Sequence, residues 1–116
     1  MAPLLQPDLR RLAMGLAAFG PVAHAATRAI IRVAGQETYA NAYAASPVLT
    51  GYLRSTVFVA YDSDGLGFSA GATARYFEFV EDGTATRPPR PFVRPAFDQA
   101  VQVSEFAINV MLNRLL

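Results

Sequence analysis

Cysteine is absent from this 116-residue chain, so neither disulfides nor thiolate metal ligands are open to it, and the redox compartment is left undecided. Lysine is absent as well, and all 10 basic residues are arginine. The planar guanidinium suits forked bonds to carboxylates or phosphates; an alanine-rich composition explains the same bias through genome base content. With a formal net charge of +1, the chain lacks the concentrated basic patch of a dedicated nucleic-acid binder. Charge of either sign is scarce: 16% of residues are charged and 53% are hydrophobic, where a soluble domain carries roughly 25% charged residues. A single domain of this length, here read as residues 1–116, has a high surface-to-volume ratio. So little charge implies that much of its surface is covered by other subunits or partners. Histidine occurs once, as His24, a helix-face residue near solvent. Glu78 and Glu81 then have no second histidine and no further clustered acids beside them, so they read as a surface acidic pair, and neither metal nor cofactor is expected.

No apolar run is long enough to span a membrane. Arg10, Arg11, the run LAMGLAAFGPVA and Ala23-His24-Ala25 imitate a secretory signal. Gly20-Pro21 breaks that run early, so the segment is read as part of the fold, with no membrane partner. Pro7 and Asp8 suit the start of a short helix through about Phe19. From Val22 to about Ala45 the spacing predicts a long helix with Val22, Ala26, Ile30, Val33, Ala40 and Ala44 on one stripe, and His24, Arg28, Arg32, Gln36 and Asn41 on the other side. Pro47 ends it. Leu53 to Tyr61 alternates as a strand, Asp62-Ser63-Asp64-Gly65 has hairpin chemistry, and Leu66 to Ala74 returns with Leu66, Phe68, Ala70, Ala72 and Ala74 inward and Gly67, Ser69, Gly71 and Thr73 outward. From Pro95 a second long helix runs to the C-terminus. It is apolar over so wide an arc that it needs contacts on two sides, one of them a candidate subunit interface. The expected class is α+β: a small antiparallel sheet packed with a long helix before it and a long helix after it.

Between sheet and last helix lies YFEFVEDGTATRPPRPFVRPAF, Tyr76 to Phe97. An aromatic and acidic patch meets a turn at Asp82-Gly83-Thr84 and then a basic arm with Arg87, Pro88, Pro89, Arg90, Pro91, Arg94 and Pro95. Prolines fix φ and remove amide donors, so the arm is expected to run extended across a surface. Glu78 and Glu81 of one subunit are expected to pair with Arg87, Arg90 or Arg94 of the next, with Phe92 as an apolar anchor.

Three elements carry a resemblance. Ala45 to Val57, ASPVLTGYLRSTV with Pro47, Thr50, Gly51 and Leu53, resembles the P-x-D-T-G-x-L-R-x-S-I element of the tail-completion or head-tail joining proteins of long-tailed bacteriophages. Tyr76 to Thr84 resembles that family's Y-A-x-F-V-E-x-G-T, and Arg90 to Phe97 resembles its x-P-F-L-R-P-A-F. The order, spacing and flanking helices are similar from about Val22 onward; Leu49 stands where an aspartate is usual and Phe77 where a small residue is usual. The resemblance implies a non-enzymatic structural protein of the virion neck, present in the host cytoplasm during assembly. It implies a homo-oligomeric ring, of six copies, between the portal complex and the tail tube, with neighbouring neck and tail-tube proteins as partners. DNA would pass through the channel without sequence-specific binding. Tail terminator and stopper are neighbouring roles that the same elements leave open.

Two other classes compete. Gly67-Phe68-Ser69-Ala70-Gly71 matches the G-x-S-x-G pattern of a nucleophile elbow, which would make Ser69 the nucleophile of a small esterase. That motif requires a strand-to-helix turn and a histidine further along the chain, whereas His24 lies upstream. RPPRPFVRP contains P-x-x-P, the ligand pattern of peptide-binding modules of the SH3 type.

Overall fold

The computed structural model of the chain describes residues 9–46, 51–74, 77–83, 85, 88 and 91–116, with backbone alone for Tyr52, Leu53, Phe77, Glu78 and Phe79. Pro21, tolerated in a helix's first turn, follows Gly20, and an alanine-rich segment carries the helix on without a breaker to Ala45. The elements in order are α1 (Leu9–Ala17), α2 (Pro21–Ala45), α3 (Tyr52–Ser55), β1 (Val57–Tyr61), β2 (Phe68–Ala72), α4 (Phe77–Asp82) and α5 (Val93–Leu115). The arrangement is α+β, two long helices with a two-stranded antiparallel sheet between them in sequence.

The most extensive contact joins α2 to α5. α2 buries Ala23, Thr27, Ile31, Ala34, Gly35, Thr38 and Ala42, and α5 buries Val93, Ala96, Phe97, Ala100, Val101, Ser104 and Ile108. The expected α2 stripe is therefore rotated by one residue, leaving Val22 85% and Val33 52% exposed. On α2 small residues flank the single large buried side chain, Ile31, and the hydroxyls on the buried faces are satisfied within their own helices. Thr27 Oγ1 donates to the Ala23 carbonyl at 2.7 Å, Thr38 Oγ1 to Ala34 at 2.8 Å and Ser104 Oγ to Ala100 at 2.8 Å.

The hairpin pairs Val57 with Ala72 through Tyr61 with Phe68. Its turn closes as the Asp-Gly chemistry predicts: the Gly65 N–H donates to the Asp62 carbonyl at 2.9 Å, with Gly65 at φ 74°. The first strand is shorter than expected, because Tyr52–Ser55 forms a helical turn and the ladder begins at Val57. Ser69 and Gly71 are not outward: β2 is buried along its whole length, covered on both faces. Phe68 ties the sheet to α5 by packing on Phe97, ring centroids 5.1 Å apart. On α2, Gly35 gives the Tyr61 ring its seat: a Cβ there would lie 2.5 Å from Tyr61 Oη, which donates to the Arg32 carbonyl at 3.1 Å.

α1 is pinned to the hairpin turn by a charge that resembled part of a leader sequence. Arg10 Nη1 donates to Asp62 Oδ2 at 2.7 Å and to Asp64 Oδ1 at 3.0 Å, while Nη2 donates to Asp64 Oδ2 at 2.6 Å. The fork bonded to Asp64, with the Leu66 N–H adding a further bond, holds that carboxyl down to about 2 from its ordinary 3.8.

Two predictions come from these contacts. The Asp64 value is depressed on folding, so the clamp contributes fully above about pH 4 and is lost as pH falls towards 2. Urea midpoints measured from pH 5 to pH 2 should fall less steeply in Arg10→Gln than in the native chain; parallel profiles would rule the clamp out. At Gly35, alanine gains about 1 kcal/mol of helix propensity, but its Cβ displaces the Tyr61 ring. Gly35→Ala should therefore stabilise a Tyr61→Ser background by close to that amount and the native background by little or nothing. The check is a double-mutant cycle in urea, with a coupling of about 1 kcal/mol expected.

Candidate assembly surface

The start of α5 lacks a cap of its own, since neither Pro91 nor Phe92 carries a side-chain acceptor. A helix leaves its first four amide N–H groups without carbonyl partners. At this helix they belong to Phe92, Val93, Arg94 and position 95, and Pro95 has no N–H. Glu81, in the last turn of α4, takes the other three. Its Oε1 accepts from Phe92 and Val93, both at 3.1 Å, and its Oε2 accepts from Arg94 at 3.0 Å. The side chain is buried, 2% exposed, with its charge at the positive end of the helix dipole. α4 ends immediately afterwards at Gly83, whose φ is 80°.

This geometry corrects two expectations. Glu81, expected to pair with an arginine of a neighbouring subunit, has both of its oxygens engaged by backbone amides of its own chain and is buried. Phe92 is not an outward anchor: it is 1% exposed and belongs to the core with Val93 and Phe97. With the Phe92 amide held against a buried carboxylate, its side chain enters the interior. Helix α5 accordingly begins at Val93 rather than Pro95. Arg94 keeps an exposed side chain with no carboxylate partner among the described residues, and Pro88, Pro91 and Pro95 are exposed. Pro47, Thr50, Tyr76, Thr84, Arg87 and Arg90, and the side chains of Leu53 and Glu78, lie outside what is described.

Arg54, which the sequence reading did not single out, does for α2 what Glu81 does for α5. Gly51 turns the chain at φ 80°, α3 follows, and Arg54 reaches back to the C-terminus of α2. Its Nε donates to Ser46 Oγ at 3.2 Å and Nη2 to the Ser46 carbonyl at 3.3 Å. The guanidinium also stands 5.2 Å from the Tyr43 ring centroid, and Tyr43 stacks on Tyr39 with centroids 6.0 Å apart. A cation at the negative end of a helix dipole is the favourable placement.

What remains open to solvent is apolar to an unusual degree. Val103, Phe106 and Val110 share one face of α5 at spacings of three and four, and Phe106 is 72% exposed. Leu115 and Leu116 continue the exposed apolar surface at the C-terminal end. Ser69 sits in mid-strand opposite Ala60, 4% exposed, so it does not occupy a strand-to-helix elbow. Among the described residues no group of His, Asp or Glu is placed to hold a metal ion, and no helix is long and apolar enough to cross a membrane.

Glu81→Ala should leave two buried donors and one half-buried donor unpaired and lower stability by roughly 3 kcal/mol. The check is chemical denaturation followed by circular dichroism. A loss below about 1 kcal/mol, the range of an exposed ion pair, would show that the carboxylate does not hold the helix start.

No protein-family model matches the chain, and neither a curated protein nor a solved structure matches it at a significant level.

Proposed function

We propose that the chain is a structural subunit of a long-tailed phage neck: a homo-oligomeric ring between the portal complex and the tail tube, around the DNA channel. The three ordered sequence elements support the reading, and two of them are physically linked. Glu81 of the FVEDGT element binds the backbone of the PFVRPAF element, which gives a reason for the two to occur together.

The observation that carries the ring is the Val103, Phe106 and Val110 face of α5. A helix with one face packed on α2 and a second apolar face left to water is built for contact with another chain. In a ring that chain is a neighbouring copy, meeting the first through a heterologous interface that closes on itself. Catalysis has no part in this reading.

The test is the assembly state of the full chain and its position in the particle. Sedimentation and electron microscopy should show closed rings, and imaging of whole particles should place the chain at the neck. Phe106→Asp should weaken each interface by about 2 kcal/mol, roughly thirtyfold, and release a folded monomer, since the side chain lies outside the core. A native chain that stays monomeric at high micromolar concentration would overturn the ring.

A further inference from the structure

Between α2 and the hairpin turn lies an open cleft of about 200 Å³ lined by Arg28, Arg32, Tyr61, Asp62, Ser63 and Gly65. Arg28 and Arg32 are one helical turn apart, so both guanidinium groups serve the same concavity. Both residues lie close to the hairpin. The Arg28 side chain lies across the turn at Gly65, where a Cβ would come within 2.7 Å of Arg28 Nε. Arg32 stands beside Tyr61, whose hydroxyl binds its carbonyl, and the Arg32 charge opposes the rise in the Tyr61 pKa that burial causes. Yet neither guanidinium has a carboxylate or other hydrogen-bond partner among the described residues. The carboxylate that lines the same cleft, Asp62, bonds Arg10 instead.

We infer that this cleft is a binding site for a phosphate group, held by Arg28 and Arg32 with the Ser63 hydroxyl at its edge. The inference does not rest on the neck reading. Phosphate is preferred to carboxylate on oxygen count. A carboxylate offers one planar edge to a fork, as Asp64 does to Arg10 while its Oδ1 also accepts from the Leu66 N–H. Two guanidinium groups lining one space are matched better by a tetrahedral phosphate, whose oxygens give each fork an edge of its own. Local charge agrees: Arg10, Arg28 and Arg32 against Asp62 and Asp64 leaves one positive charge, enough for a phosphodiester and partly balancing a phosphomonoester.

The experiment follows the arginine Nε–H and backbone amide resonances of the full chain during titration at constant ionic strength. The probes are inorganic phosphate, glycerol phosphate, a mixed-sequence oligodeoxynucleotide, acetate and chloride. Saturable shifts at Arg28, Arg32, Ser63 and Gly65 with the phosphate probes, weakened at least about tenfold in Arg28→Gln/Arg32→Gln, are expected. Tighter binding of the oligonucleotide than of glycerol phosphate, per phosphate group, would make a nucleic-acid backbone the source; the reverse would make it a small phosphate ester. Equal response to acetate or chloride, shifts spread over all the arginines, or an unchanged double variant would overturn the site. Circular dichroism of the variant, whose altered side chains are both exposed, keeps a folding defect distinguishable from lost binding.

Discussion

A buried carboxylate answering three backbone amides is the constraint on which the rest of this structure depends. Taking a charge out of water is costly unless hydrogen bonds and a favourable field replace the solvent. Glu81 has both, from Phe92, Val93 and Arg94 and from the positive end of α5. The clasp sets where α5 starts, and the start sets which residues face inward. Phe92, Val93 and Phe97 enter the core, Phe97 meets Phe68, and through Phe68 the hairpin is tied to the helix. It also fixes the backbone from Phe92 to Arg94 at a defined place.

Glu81 and Arg54 are opposite charges used for one purpose. Each comes from a short helix, α4 or α3, and each reaches the end of a long helix whose unpaired backbone groups have the complementary partial charge. Between these ends, the buried faces of α2 and α5 mix alanine, threonine and serine with the larger Ile31, Phe97, Val101 and Ile108. The directional bonds at the helix ends add to that packing.

The parts of this fold that follow local rules were legible in the sequence. Both long helices, the Asp-Gly hairpin, the inward set Leu66, Phe68, Ala70, Ala72 and Ala74, and the breaks at Gly20-Pro21 and Gly51 all follow from proline, glycine and periodicity. The α2 face was misread because hydropathy ranks Val22 and Val33 above Thr27, Gly35 and Thr38, while close helix packing ranks by size. Glu81 was assigned to a neighbouring chain because its partners are backbone amides 11 to 13 residues away, which no side-chain pattern displays. One signal was there: a helix start with proline and phenylalanine where a cap residue belongs must draw its acceptor from elsewhere. Arg10 was hidden in the same way, since its partners on the hairpin turn lie more than 50 residues along the chain.

Engaging Glu81 and Phe92 internally moves the expected burden of assembly from the arm to the helices. The molecule is a rod, 52 Å by 22 Å by 21 Å, and its radius of gyration of 15.6 Å exceeds the roughly 13 Å of a compact domain of this length. An elongated subunit exposes more surface per residue, and with so few charges that surface is necessarily apolar in places. Val103, Phe106 and Val110 concentrate it on the side of α5 that its own chain leaves uncovered. In the proposed ring the arm then acts indirectly. Pro91 and Arg94 flank the clasped start of α5, and both are exposed. A neighbouring copy would meet a preset surface, with specificity from the rim arginines and affinity from the helix.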